Sequence, residues 1–172
     1  MEGIQIQLIK QRGIVLLSLL IGVIYFLFVF NNEYTVNDIL EKEIKIKQIT
    51  YTEMSKKVYS RTGGIGYIST EDIILTEEEI ENIIYWIQSV SESEVTEMKQ
   101  IPINTSISSG IIIGLKKNKE IRIQYDLENI YITRTDIKGK RILYSIDQKE
   151  FKRFFNEKLR GFYFGEDTVK SS

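Results

Sequence analysis

Two short basic clusters are the residues best placed to do recognition chemistry: Lys116, Lys117 and Lys119 in one, Lys138, Lys140 and Arg141 in the other. Ammonium and guanidinium groups gathered in this way steer and hold an acidic partner by charge, and make no covalent bonds. Tyr131 and Leu143, on β-prone runs beside the clusters, add a small apolar contact of the kind a binding surface needs. These eight residues are the candidate partner-binding set. The competing reading is that lysines at hairpin tips guard turns and strand edges from aggregation.

Covalent chemistry has little to work with. The chain has neither His nor Cys, so the commonest general base, the commonest metal ligand, thiol nucleophiles, disulfides and lipid-modified cysteines are all excluded. No nucleophile elbow, Walker loop, zinc-ligand spacing or calcium loop occurs. Carboxylates remain, as in glycoside hydrolysis, but Asp126, Glu128, Asp136 and Asp147 read as turn residues and caps rather than as an acid–base pair. Gly63, Gly64 and Gly66 with Arg61 can bring backbone N–H groups to an anion, yet no helix opens from them and the spacing is not a phosphate fingerprint. No catalytic residue, cofactor, metal site or nucleic-acid partner is therefore expected, and the protein is read as a non-enzyme.

The elements that must carry these residues begin with an apolar run. Ile14 to Phe30, IVLLSLLIGVIYFLFVF, has no charge and, with Gly13, spans about 27 Å as a helix against a ~30 Å hydrocarbon core. It predicts a transmembrane signal-anchor over 13–30, uncleaved because no small-residue cleavage site follows it. Lys10 and Arg12 precede the span and no Lys or Arg follows before Lys42, which predicts a single-pass cell-membrane protein with a cytoplasmic N-terminus and its C-terminal domain outside. Ser18 and Gly22 form a small-xxx-small pair suited to homo-association of that helix. The expected organisation is a short cytoplasmic tail at 1–12, the anchor, a spacer at 31–42 and an extracytoplasmic domain at 43–172.

Within the domain, Glu43 to Tyr51 reads as a first strand and VYSRTGGIGYIST as a hairpin turning at Gly63 and Gly64. Thr76 to Val90 reads as a helix, since Thr76 and Glu79 make a capping box and Ile80, Ile83, Ile84 and Ile87 form one apolar stripe. Val95 to Ile107 reads as an irregular edge strand interrupted by Pro102. GIIIGLK, EIRIQYD, NIYITRT and RILYSID read as a four-run meander with Ile121, Ile123, Ile130, Ile132, Ile142, Tyr144 and Ile146 on one face. Asp147 and Glu150 make a second capping box, opening a helix from Gln148 to about Leu159 with Phe151, Phe154 and Phe155 inward. The fold class expected is α+β: a single transmembrane helix, then a two-layer sandwich of antiparallel meander and two amphipathic helices.

The net charge of −1 conceals an asymmetry, with 14 Asp/Glu against 7 Lys/Arg between Glu33 and Gln100, and 9 against 14 from Ile101 onward. Two complementary faces of one fold are the preferred account, and a basic surface for an acidic partner is the alternative. The chain has no Ala and is rich in Ile, Lys and Glu, a bias of AT-rich genomes.

The order of elements over 43–159, with the stretches IGYIST…LTEEEIENII and YSIDQKEFKRFF, resembles anonymous extracytoplasmic domains of small Gram-positive membrane proteins and lipoproteins. The resemblance implies a binding or accessory role and brings no functional residue with it. The function expected is a membrane-anchored accessory or regulatory protein whose external domain binds a protein or envelope ligand. A stoichiometric protective, immunity-type or structural membrane protein is the alternative, and a carboxylate-based hydrolase the third.

Overall fold

The computed structural model describes residues 18–25, 35–62, 64–138 and 140–159, in two units, Met1–Thr35 and Val36–Ser172. In the first, residues 18–25 are helical. Among the described residues no helix is long and apolar enough to cross a membrane. This corrects the expected single-pass signal-anchor over 13–30, together with the cell-membrane location and orientation drawn from it. Residues 13–17 and 26–30 of that span lie outside the described residues, as does the 1–12 tail. Ser18 and Gly22 stand four apart on this helical stretch, and a Cβ added at Gly22 would meet no atom within 4 Å.

The second unit is built on one seven-stranded antiparallel sheet, where a four-run meander had been expected. Its strands are β1 (Ile49–Thr62), β2 (Ile65–Ile73), β3 (Val95–Met98), β4 (Ser109–Leu115), β5 (Lys119–Tyr125), β6 (Ile130–Arg134) and β7 (Ile142–Ile146). Their order is β2-β1-β4-β5-β6-β7-β3. The first hairpin, turning at Gly64 with φ +84°, thus extends the meander at one edge, and β3 closes the other by pairing with β7. Two boundaries differ from expectation. Ile44 is buried before a 3₁₀ turn at Ile46–Gln48, so β1 starts at Ile49, with an irregularity by Tyr51. The stretch after Met98 is no strand but a connection back to β4 across the second face, where Thr105 meets the Tyr131 hydroxyl.

Side chains alternate faces along a strand, and directly paired residues share one. Met54, Ile111, Ile123, Ile132 and Tyr144 form one such row across five strands, all buried. Two helices cover that face. The helix α2 (Glu77–Gln88) follows α1 (Val36–Glu41) in the chain and opens with the Thr76–Glu79 capping box. It buries Ile83, Ile84 and Ile87. Helix α3 (Lys149–Leu159) buries Phe151, Phe154, Phe155 and Leu159. Its cap departs from expectation: the Gln148 side-chain oxygen accepts from the Phe151 N–H at 2.6 Å, while Asp147 pairs with Lys152. Trp86 joins the helices, its ring 5.3 Å from Phe151 and 5.6 Å from Phe154, and Phe155 stacks on Tyr125 at 4.8 Å.

Candidate functional site

The antiparallel order puts the β4–β5 and β6–β7 connections at the same end of the sheet. Lys116 and Lys117 lie in the first, Lys119 opens β5, Lys138 and Lys140 lie in the second, and Arg141 precedes β7. Lys117 and Asn118 take left-handed conformations (φ 65° and 55°), as does Lys138 (φ 46°). The six cations do not act alike. Lys138 Nζ is 2.8 Å from Asp38 of α1, so its charge fastens that helix to the sheet. Tyr131 is 4% exposed and donates its hydroxyl to Asp126 at 2.7 Å, so it offers nothing to a partner, and Leu143 is half-buried. The basic tips share an end of the sheet; of the two apolar residues expected beside them, Tyr131 is buried and Leu143 is half-buried.

Asp126 holds the Tyr131 hydroxyl. Its carboxylate also accepts from the N–H groups of Glu128 and Asn129 at 3.0 and 2.7 Å, closing the β5–β6 turn. Burial pulls this carboxyl up, and the hydrogen bonds from Asn129, Tyr131 and Glu128 outweigh it, leaving the group below its usual range.

A different surface is open. β1 pairs with β4 only as far as Lys56, opposite Ser109, and the Lys57 N–H to Ser108 carbonyl bond (2.8 Å) ends the contact. Beyond it β1 and β2 continue as a two-stranded arm, with Val58 opposite Ser69, Tyr59 opposite Ile68 and Ser60 opposite Tyr67. Ile65, Tyr67 and Ile68 are 60%, 51% and 66% exposed. β2 is also an outer strand, and its stretch IGYIST carries no charge and no Pro. Edge strands are normally guarded by charge, Pro, a bulge or a covering element. Here the first charges are Glu71 and Asp72, at the base. The sequence signal for this surface was the six-residue uncharged run itself, which reading it as half of a short hairpin passed over.

The arm's base is anchored by buried charge. Lys56, 7% exposed, donates from Nζ to the Lys158 carbonyl at 3.1 Å and lies 4.0 Å from Glu71. It thereby gives a last-turn carbonyl of α3 a hydrogen-bond donor and complements the negative end of the helix dipole. Glu79 of α2 pairs with Lys158 from the other side. Burial raises the Glu79 carboxyl, but hydrogen bonds from Lys158 and Thr76 prevail and hold it below its usual range.

A second buried charge sits further along the same face. Arg134 reaches Asp136 through Nε and Nη2 at 2.9 and 2.7 Å, and the Lys42 carbonyl at 3.0 Å. Beside it, the Tyr144 hydroxyl is the buried side-chain polar atom that lacks a hydrogen-bond partner among the described residues. Burial pushes that phenol up to about 12, against the pull of the Arg134 charge.

On the second face, next to the arm, lies an open groove of about 260 Å³. Glu53, Ser55, Lys57, Asp72, Arg122 and Gln124 line it, with Ile107 and Ile112. Among the described residues no group of acidic side chains is placed to hold a metal ion. The chain matches no protein-family model, no curated protein and no solved structure.

Proposed function

We propose that this chain acts by binding, as an accessory or regulatory protein, and that a protein partner adds an extended segment to the outer edge of β2. Among the described residues no strand pairs with the outer edge of β2, and this edge carries the reading: backbone donors and acceptors along Ile65–Thr70 are presented beside exposed Ile65, Tyr67 and Ile68. Strand addition draws its affinity from such main-chain groups and its specificity from alternate side chains. The displaced carboxylates support binding over hydrolysis, because each already has structural work. Asp126 closes a turn, Asp147 pairs with Lys152, Glu79 caps α2 and Glu94 caps the Glu92–Glu94 turn.

The test is capture of a partner from the source organism by the full chain. Ile68→Lys with Thr70→Pro, which put a charge and a missing N–H on the edge, should abolish capture while circular dichroism stays unchanged. Lys117→Glu with Lys119→Glu should leave capture intact. The reverse pattern would return the site to the basic tips and refute the edge.

A further inference from the structure

We infer that the segment received by the outer edge of β2 runs antiparallel to it and carries a fixed order of side chains: two basic residues opposite Asp72 and Glu71, and an aromatic residue opposite Gly66. The inference rests on the strand addition proposed above and specifies its partner. Alternation along β2 sets the faces. Lys56 reaches the end of α3 on the helix side, so its pairing partner Glu71 lies on that side, with Ser69, Tyr67 and Ile65. Asp72, Thr70, Ile68 and Gly66 lie on the other. The residues of an added strand stand directly opposite these and share their faces.

Charge decides which end of the segment is basic. The run Ile65–Thr70 is uncharged, and Glu71 and Asp72 follow it directly. Glu71 stays 50% exposed and 4.0 Å from Lys56, a loose separation for an ion pair, while the Lys56 ammonium also serves the Lys158 carbonyl. Asp72 is exposed at the groove, where Glu53 adds a second carboxylate on the same face. Opposite charges across a strand pair attract and like charges repel, so two consecutive basic residues meet one carboxylate on each face. Glu71 stands between Lys56 and the added strand. Thr70 gives no such screening of its partner Lys57, so a third basic residue, opposite Thr70, would be repelled.

The chain itself shows what covers a strand glycine. Gly114 of β4 pairs with Tyr51 of β1, and the Tyr51 ring occupies the space that a Cβ at Gly114 would need. Gly66 lies on the same face of the sheet, and a Cβ there would meet nothing within 4 Å. It is an edge glycine of the kind that a cross-strand aromatic ring covers. A ring directly opposite Gly66 also reaches Ile68, its diagonal neighbour, which is 66% exposed. Each strand pairing in this sheet is antiparallel, the more stable ladder per residue. From its N-terminus the segment therefore reads two basic residues, four uncharged strand formers and an aromatic residue, about 20 Å in all at ~3.4 Å per residue.

The test titrates the full chain into labelled synthetic peptides and reads fluorescence anisotropy. The first peptide is Lys-Arg-Thr-Val-Val-Thr-Tyr-Val; three others replace Lys-Arg by Glu-Asp, replace Tyr by Gly, or reverse the order of all the residues. At low salt the first should bind roughly tenfold more tightly than the Glu-Asp and reversed peptides, and roughly threefold more tightly than the Gly peptide. High salt should shrink the first difference and leave the Gly difference unchanged. Asp72→Lys, which leaves the Lys56 contacts in place, should narrow the difference between the first and Glu-Asp peptides roughly threefold. Equal affinities for the four peptides, all lost with Ile68→Lys and Thr70→Pro, would overturn this inference and leave strand addition standing. Binding of none of them, or binding that survives that double variant, would overturn strand addition and this inference with it.

Discussion

Replacing Arg134 by Met tests whether a single buried cation joins the sheet to the chain entering it. Arg134 is 1% exposed and Asp136, its partner, 10%. The substitution keeps most of the aliphatic stem and so leaves little cavity. What it removes is the counter-charge of a nearly buried carboxylate and the donor to the Lys42 carbonyl, 92 residues away in the chain. Breaking a buried pair from one side costs ~3–5 kcal/mol, of which an orphaned carbonyl accounts for ~1–3 kcal/mol. On a domain stability of ~5–15 kcal/mol this is a large fraction. Adding Asp136→Leu removes the stranded charge and leaves only the unpaired carbonyl, so the double variant should return to within ~1–3 kcal/mol of the parent. Urea unfolding followed by fluorescence reads this well, because Trp86, the single tryptophan, sits 5.3 Å from Phe151 between the two covering helices. A single variant losing under ~1 kcal/mol, or a double variant as unstable as the single, would refute the argument.

Three further outcomes follow from particular residues. Burial pushes the Tyr144 phenol up to about 12 against ~10 unfolded, so its neutral form is the one the fold accepts, and folding stability falls as pH rises from ~10 towards 12. Because the hydroxyl has no hydrogen-bond partner among the described residues, Tyr144→Phe should be neutral or stabilising by ~1 kcal/mol at pH 7 and should flatten the alkaline fall of the urea midpoint; a clear loss at pH 7 would mean that the hydroxyl is bonded. Glu79 is held below its usual range, so its contribution is present above its unfolded pKa and disappears as pH falls through the folded one. Glu79→Gln should destabilise by ~1 kcal/mol at pH 7, with the gap to the parent closing by pH ~2, and a pH-independent gap would count against the ionic part. A Cβ added at Gly114 would fall 2.1 Å from Tyr51 Cε1, so Gly114→Ala should displace that ring and cost ~1 kcal/mol, a cost largely absent in a Tyr51→Ala background.

Local signals were legible where the chain states them locally. The Thr76–Glu79 box marks the start of α2, and the alternation of Ile121, Ile123, Ile130 and Ile132 marks the sheet face the helices cover. What escaped reading depends on distant partners. Lys56 and Arg134 look like surface cations, yet each holds the parity of its apolar neighbours, Met54 and Ile132, and that parity was the available clue. Their partners, the Lys158 and Lys42 carbonyls, are backbone atoms about a hundred residues off, which no local pattern reveals. Tyr131 looked free on a half-polar face because nothing nearby announces that the connection after Met98 returns over it. The length of β1 was also obscured: the run ending at Tyr51 and the hairpin beginning at Val58 read as separate elements, but pairing with β2 on one side and β4 on the other carries one strand through both.

The bonds that close this fold set an order in time. Lys56 meets Lys158 across 102 residues, Lys138 meets Asp38 across 100, and Arg134 meets Lys42 across 92. During synthesis β1, β2 and α2 emerge long before their partners, at a pace of roughly 5–20 residues per second. The face bearing Met54 and Ile111 must then wait for α3, almost the last element made, before it is sealed. The consecutive hairpins can form early, but the β1–β4 and β3–β7 pairings and the three distant bonds must wait for loop closure before any gain from contact. For several seconds of each round of translation, on the order of the time to make the last hundred residues, the nascent chain presents an uncovered sheet and an unguarded strand together. That interval makes it a natural client of holding chaperones, and slowing translation near the 3′ end of its message should raise the aggregated fraction.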